Sequence, residues 1–230
     1  MKLIQFTNID ALRDEICKNS LEQFVLVKLD DRKVTFDSNF MQRMEEISAD
    51  SDASITYSHY REKTADGRII LHPVNDYQFG SVRNDFDFGS VVMLNAADAL
   101  AASEGFSYES DSPDGGWYAL RLRMSIGKTV ASLPEYLYTV EKEDYRKSGE
   151  KQHDYIDPRN SFYQAHMERV FTDFLIDIDA MVSLAPLHPD LGEGEFPVEA
   201  SVVIPVRNRV ATIGDAVRSA LAQQTTFLYN

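Results

Sequence analysis

The chain has 230 residues, 43% of them hydrophobic and 11% aromatic, which is enough to bury a core and excludes a wholly disordered chain. Its 37 acidic and 23 basic residues give a formal net charge of -14, which argues against a nucleic-acid-binding or anionic-lipid-binding surface. A single cysteine, Cys17, excludes an internal disulfide and any site built from several thiolates. Because no apolar stretch reaches ~20 residues and the N-terminus lacks a signal-peptide core, we expect a cytoplasmic protein without a transmembrane segment.

The first part of the sequence predicts a helix, a strand and a second helix. Apolar residues recur with helical spacing over residues 9–21. The run FVLVKL at 24–29 is apolar on both faces, which favours an interior strand of an α/β sheet. Helical spacing returns over 39–48, with Ser38 as the expected N-cap.

Two acids, Asp30 and Asp31, directly follow the predicted interior strand. Ligands of doubly wound sheets gather at the C-terminal ends of strands, so these carboxylates are candidates for function. Adjacent carboxylates at such a point can hold a divalent cation that bridges to phosphate. A solvated turn after the strand is the alternative.

The middle of the sequence predicts a hairpin followed by a long loop. Asp66-Gly67 separates two β-rich runs, which is a hairpin signal. Residues 75–87 mix aromatics, acids and glycine without a period, so we expect a loop or a lid. Its aromatic and acidic residues would either form a platform for a sugar or a base, or pack the loop against the sheet. These residues are Tyr77, Phe79, Asp85, Phe86, Asp87 and Phe88.

Turn-forming residues fill the stretch 107–116, where Asp111 and Asp114 are either candidate general bases or solvated turn residues. The other predicted elements are a strand at 90–95, a helix from 96, a helix at 118–125, a short strand at 130–134, an extended run at 136–146 and a helix at about 162–183. Prolines and glycines then mark a connector, and beyond it the pattern predicts a buried strand at 200–208 and a helix at 211–224.

Residues 200–224, ASVVIPVRNRVATIGDAVRSALAQQ, resemble the opening strand and helix of family 2 glycosyltransferases with the GT-A fold, where the strand reads V-S-V-V-I-P-x-x-N. Residues 7–44 resemble a later stretch of that family, in which a strand ends L-D-x-D. The resemblance extends through residues 53–69, 86–100 and 116–143, in an unusual order. The residues that match the stretch 7–44 are Asn8, Arg13, Asp14, Leu29, Asp30 and Asp31.

The resemblance implies an α/β, GT-A-like fold with a mostly parallel sheet and helices on both faces, incomplete or permuted. Residues 1–184 would form the acceptor and metal half, and 185–198 a connector. Residues 199–230 would be the opening strand and helix of a nucleotide-binding half, or of a truncated second domain. We expect this last strand to return and pair with the strand at 24–29, since that strand would otherwise present an apolar edge.

By resemblance, the chain would transfer a sugar from a nucleotide-sugar donor to a hydroxyl acceptor such as a growing cell-envelope glycan. A divalent metal, manganese or magnesium, would sit on Asp30 and Asp31, and an acid near Asp114 or Asp111 would deprotonate the acceptor. The residues that would contact the donor are Arg13, Pro205, Arg207, Asn208 and Arg209.

Three positions depart from the family pattern. Arg32 stands where the second metal-binding acid is expected, and Gly116 and Trp117 stand at the catalytic-base position. These departures leave a second hypothesis from another class open. In that hypothesis the chain is a non-catalytic module that binds glycan or scaffolds an active transferase, which would be a C-terminal catalytic domain or a second copy of the chain.

Overall fold

The computed structural model describes residues 2–19, 22–105, 113–141, 161–182 and 198–230. The chain forms two compact units, Met1–Val182 and Ser183–Asn230. The elements of the first unit are β1 (Leu3–Gln5), α1 (Ile9–Lys18), β2 (Phe24–Lys28), β3 (Val34–Phe36), α2 (Phe40–Asp50), β4 (Ala53–Lys63), β5 (Ile69–His72), β6 (Val91–Asn95), α3 (Ala96–Ala102), α4 (Pro113–Met124), β7 (Thr129–Glu141) and α5 (Ser161–Asp177). The second unit contains α6 (Val210–Leu221).

The seven strands form one sheet in the order β1-β2-β6-β4-β7-β3, with β5 paired to β4 beside this path. Among the strand pairs that the described residues form in this sheet, β1/β2 and β4/β7 are parallel and the others are antiparallel. The sheet is therefore mixed, and the expected mostly parallel sheet is wrong. The hairpin turn forces β5 to run antiparallel to β4. Strands that pair in parallel are usually joined by a crossover helix, but the loop over 73–90 that leads to β6 contains no helix, and β6 pairs antiparallel with both β2 and β4.

Strand β2 is an interior strand, as its sequence predicts. Residues 24–27 are buried, and β1 lies on one side of β2 and β6 on the other. β1 pairs with residues 26–28 on one edge and β6 with residues 24–28 on the other. β2 therefore does not present the open edge on which the expected pairing rested, and residues 201–206 form no strand, so that expected pairing is wrong. Helix α1 precedes β2 and is capped by Asn8, whose side chain accepts a hydrogen bond of 2.8 Å from the amide of Ala11.

Helices cover both faces of the sheet. Thr56 and Tyr57, neighbours in β4, point to opposite faces. On the Thr56 face, Ser48 of α2 donates a buried hydrogen bond of 2.7 Å to the Thr56 hydroxyl. On the Tyr57 face, Phe88 packs 5.0 Å from the Tyr57 ring and 5.6 Å from the ring of Trp117 in α4. The ring of Phe88 is therefore enclosed between the sheet and α4.

Two element boundaries differ from the sequence expectations because of local geometry. Helix α2 begins at Phe40 with Asn39, not Ser38, at the N-cap position. The predicted turn over 107–116 is wrong at its end, where α4 already begins at Pro113. Proline fits the first turn of a helix, where its missing N–H would have no intrahelical partner.

A single strand, β7, replaces the predicted short strand and separate extended run. Its register against β4 shifts where Leu133 pairs with Ser58 and Tyr136 pairs with His59. Pro134 and Glu135 of β7 therefore have no partner residue in β4. This bulge accommodates the proline, and the strand continues beyond it.

In the second unit, the predicted helix is confirmed and the predicted buried strand is wrong. Residues 201–206 have irregular backbone, with a single isolated bridge between Ala200 and Tyr229 nearby. Val203 is 83% exposed. A strand needs a neighbour along its length to satisfy its backbone groups. Among the described residues of this unit, the backbone bonds of this stretch join residues 199–202 to 228–230 and do not continue to 203–206.

Candidate functional site

Asp30 follows β2 at its C-terminal end and is held by three hydrogen bonds. Its Oδ2 accepts from Arg32 Nε at 2.7 Å and from the Ser90 hydroxyl at 2.7 Å. Its Oδ1 accepts from the backbone amide of Arg32 at 3.0 Å, a turn that an aspartate forms with the amide two residues ahead. Because Ser90 lies just before β6, the neighbour of β2, the sheet itself positions this carboxylate.

Arg32 is the central cation of the site and has only 15% of its side chain exposed. Its Nη1 lies 3.4 Å from Oε1 of Glu62 in β4, and its guanidinium carbon lies 5.3 Å from the centre of the Tyr60 ring. Burial opposes its charge, but Asp30 and Tyr60 together outweigh burial and raise the pKa of Arg32 further above its usual range. The guanidinium is therefore permanently charged and lies between two carboxylates.

Three rings form a row across neighbouring strands beside Arg32. Tyr60 of β4 is paired with His72 of β5 on one side and Tyr138 of β7 on the other. The ring centres lie 4.4 Å apart for Tyr60 and His72 and 5.6 Å apart for Tyr60 and Tyr138, both nearly parallel. The Tyr138 hydroxyl accepts a 2.9 Å hydrogen bond from the amide of Ser90, which connects the ring row to Asp30.

Asp87 adds a further carboxylate at the same place. Its Oδ2 lies 2.9 Å from Nε2 of His72 and 3.5 Å from the Tyr60 hydroxyl, and its Oδ1 accepts from the amide of Gly89 at 2.7 Å. Both partners of the His72 pair are partly exposed, 37% and 45% of their side chains. Burial, and secondarily Asp87, raises the pKa of Tyr60 to about 12.

We call this group the edge site. Its members are Asp30, Arg32, Tyr60, Glu62, His72, Asp87 and Ser90. The site contains three carboxylates but only one permanent cation, Arg32, and one histidine. Hydrogen-bond acceptors therefore outnumber donors. Such a surface suits a ligand that donates many hydrogen bonds, such as the hydroxyls of a sugar, better than a multiply charged anion.

The residues at the end of β2 do not fit a divalent cation as they stand. Both carboxylate oxygens of Asp30 accept protein hydrogen bonds, and the guanidinium of Arg32 lies where a cation would approach them. Asp31, the other predicted ligand, is exposed. Across the described part of the chain, no group of three or more His, Cys, Asp or Glu side chains is arranged to hold a metal ion.

For the aromatic loop, the structure favours packing over a ligand platform. Phe88 is 2% exposed, and Phe86 and Tyr77 lie 4.8 Å and 5.9 Å from it. Phe79 is 61% exposed and lies 6.2 Å from Phe174 of α5. Of the two acids, Asp87 joins the edge site, while Asp85 forms an exposed ion pair with Arg83 at 2.7 Å.

Arg121 of α4 binds the backbone of the loop over 73–90. It is 1% exposed, and its guanidinium donates to the carbonyls of Ser81 and Arg83. The guanidinium carbon lies 4.9 Å from the Tyr118 ring and 5.5 Å from the Phe88 ring. Burial lowers its pKa from the usual value. This arginine is structural, and the sequence does not distinguish it from Arg123, two residues further along the same helix.

The candidate bases and donor contacts are dispersed. Asp111 lies outside the described residues, and Asp114 lies in the first turn of α4. Two glycines follow it. A β-carbon at Gly115 would clash with the His166 ring, whereas one at Gly116 would make ordinary contacts with Phe6 and Ile9 at 3.6 Å and 3.7 Å. The base position that the resemblance assigns to Gly116 and Trp117 is therefore packed with apolar groups.

Arg13 lies on α1, with 46% of its side chain exposed and an ion pair of 3.9 Å to Asp10. The remaining candidates for donor contacts are exposed residues of the second unit, in the segment just before α6: Pro205, Arg207, Asn208 and Arg209. The structure thus divides the predicted donor contacts between the two units.

Sequence reasoning missed His72 and Glu62 as members of the site. The signal was the hairpin: once Asp66-Gly67 sets the turn, the register places His72 opposite Tyr60 and leaves Glu62 two residues further along the strand. Within the described residues, every helix is too short or too polar to cross a lipid bilayer. No protein-family model matches the chain, and no curated protein sequence is significantly similar to it.

Proposed function

We propose that the chain is a GT-A-like glycosyltransferase module that transfers a sugar from a nucleotide-sugar donor to a hydroxyl of a glycan acceptor. The observation that carries the proposal is an acidic residue, Asp30, at the C-terminal end of an interior strand and fixed there by Ser90 and Arg32. The order of elements around it, a helix before β2 and then α2, the β4–β5 hairpin, β6, α4 and β7, agrees with the sequence resemblance.

In this proposal the acceptor sugar lies at the edge site. Carboxylates of Glu62 and Asp87 accept hydrogen bonds from sugar hydroxyls, and the partly exposed ring of His72 offers a flat face. A general base is needed when a hydroxyl attacks the donor, and the sequence resemblance assigns that role to an acid near Asp114, at the start of α4. On this unit, the proposed donor contact is Arg13 of α1.

A second candidate is a module that binds glycan without catalysis or scaffolds an active transferase. The ion pair between Arg32 and Asp30 specifically favours it, because it occupies the carboxylate that the family would use for chemistry. The apolar packing of Gly116 and Trp117 at the base position favours it as well.

Calorimetric titration of the full chain separates the two candidates. Uridine, guanosine and thymidine diphosphates are titrated in one series, with manganese and with EDTA, and neutral oligosaccharides in a second. Binding of a nucleotide together with release of sugar from the matching nucleotide-sugar supports the transferase. Binding of oligosaccharide with no response to any nucleotide supports the non-catalytic module.

Two variants test whether the binding measured by calorimetry takes place at the edge site. Asp87→Asn should weaken oligosaccharide binding at least fivefold, because the variant replaces the carboxylate that pairs with His72 by an amide. Asp85→Asn is the matched control, since Asp85 lies two residues away in an exposed pair with Arg83. Equal effects of the two variants would remove the edge site from both proposals.

A further inference from the structure

We infer that Arg32 is a built-in cation that closes the Asp30 position to divalent metal ions, and that replacing Arg32 by a carboxylate opens a metal site there. The inference goes beyond the proposed function, because it concerns which cation the edge site uses and holds whether or not sugar is transferred.

Both oxygens of the Asp30 carboxylate already accept hydrogen bonds. Metal ions bind carboxylates through the oxygen lone pairs, and here the backbone amide and Nε of Arg32 bind Oδ1 and Oδ2 at 3.0 Å and 2.7 Å. The Ser90 hydroxyl also donates to Oδ2. Ser90 and the Arg32 side chain thus occupy both lone pairs of Oδ2, and a metal ion at this oxygen would have to displace one of these two hydrogen bonds.

The positive charge of Arg32 also repels a divalent cation. An arginine guanidinium does not lose its proton in proteins, so the repulsion between Arg32 and an incoming divalent cation cannot be relieved by deprotonation. The guanidinium also cannot readily swing away. It is 15% exposed, lies 3.4 Å from Glu62 on its far side and rests 5.3 Å from the centre of the Tyr60 ring.

Two carboxylates surround the Arg32 guanidinium. The carboxylates of Asp30 and Glu62 both face it, from the end of β2 and from β4. Without the guanidinium, two hard oxygen ligands on separate strands face one vacated volume. A carboxylate at position 32 adds a third ligand beside Asp30, which is the chemistry that manganese, magnesium and calcium prefer.

Manganese binding to the full chain, followed by the electron paramagnetic resonance signal of the free ion, tests the inference directly. The native chain should bind no manganese at this site. Arg32→Asp should bind one ion with an affinity at least tenfold above the weakest that the titration detects, and the further change Asp30→Asn should abolish that binding. Arg83→Asp is the matched control, because it places a new carboxylate beside Asp85 on the exposed loop and should give no tight site.

Arg32→Gln provides a second variant in case Arg32→Asp does not fold, as judged by circular dichroism. It removes the charge, keeps a long polar side chain, and should give a smaller but measurable gain in manganese affinity over the native chain. The inference is overturned if the native chain binds one manganese ion that Asp30→Asn removes. It is equally overturned if a folded Arg32 variant binds manganese no better than the native chain.

Discussion

The hydroxyl of Tyr138 lies against Gly89, at the place that a β-carbon of residue 89 would occupy. Gly89 has a φ of 75°, in the left-handed region that favours glycine. The next residue, Ser90, donates its amide to this same hydroxyl at 2.9 Å and its own hydroxyl to Asp30. The close approach of Tyr138 to a glycine thus determines where Ser90, and through it Asp30, is held.

Gly89→Ala should lower the free energy of unfolding by about 2–4 kcal/mol, which combines left-handed strain of about 1–2 kcal/mol with displacement of a buried ring. Besides the Tyr138 hydroxyl, the new β-carbon would lie 3.2 Å from the Tyr60 ring. Urea unfolding followed by circular dichroism measures the loss. The control is Gly127→Ala, because Gly127 has a φ of 65° and nothing within 4 Å of its β-carbon position. Equal losses in the two variants would contradict the close contact.

Tyr138→Phe should lower the free energy of unfolding by about 1–3 kcal/mol, because it leaves the Ser90 amide without its acceptor. Both residues are fully buried, so water cannot easily replace the lost hydroxyl. Hydrogen exchange of the Ser90 amide, measured by NMR, should become at least tenfold faster than in the native chain. Unchanged exchange at Ser90 would show that the amide has another acceptor.

Arg121→Lys should lower the free energy of unfolding by about 2–4 kcal/mol, since an ammonium cannot donate to two carbonyls in the forked geometry of a guanidinium. The carbonyls belong to Ser81 and Arg83, so hydrogen exchange should increase over the loop at 75–90. Arg83→Lys is the control: its pair with Asp85 is exposed, and such pairs contribute about 0–1 kcal/mol. A loss below 1 kcal/mol for Arg121→Lys would contradict its role in holding the loop.

Elements with a strong local pattern were predictable from the sequence. Strand β2 has four consecutive buried residues, and the Asp66-Gly67 turn, where Gly67 has a φ of 84°, specifies the hairpin by itself. Elements that depend on neighbours were not predictable. Residues 201–206 have the composition of a strand but irregular backbone, and β7 continues through Pro134 because β4 pairs with it on both sides of the bulge.

The candidate site shows the same division. Sequence reasoning identified Asp30 because it ends an apolar run, but the partners that determine its chemistry come from β4 and from the residue before β6. Nothing in the local sequence states that Glu62 faces Arg32 or that Asp87 reaches His72. Only the sheet order and the hairpin register bring these side chains together, and the antiparallel entry of β6 was not expected.

Stability at alkaline pH should depend on Tyr60. Burial raises its pKa to about 12, with Asp87 adding to the rise and Arg32 opposing it, whereas an unfolded tyrosine titrates near about 10. The folded chain therefore keeps the Tyr60 proton where the unfolded chain loses it. The stability that this protonated tyrosine contributes is complete below about pH 10 and is lost as pH rises through about 12.

Tyr60→Phe isolates this effect, because phenylalanine keeps the ring between His72 and Tyr138 but cannot ionise. The native chain should lose about 2 kcal/mol more stability than Tyr60→Phe between about pH 9 and pH 12, since each unit of pKa difference corresponds to about 1.4 kcal/mol. Urea midpoints measured across this range give the two curves, and other tyrosines cancel in their difference. Parallel curves would mean that Tyr60 titrates alike in both states, in which case its ring does not lie buried beside Asp87 as described.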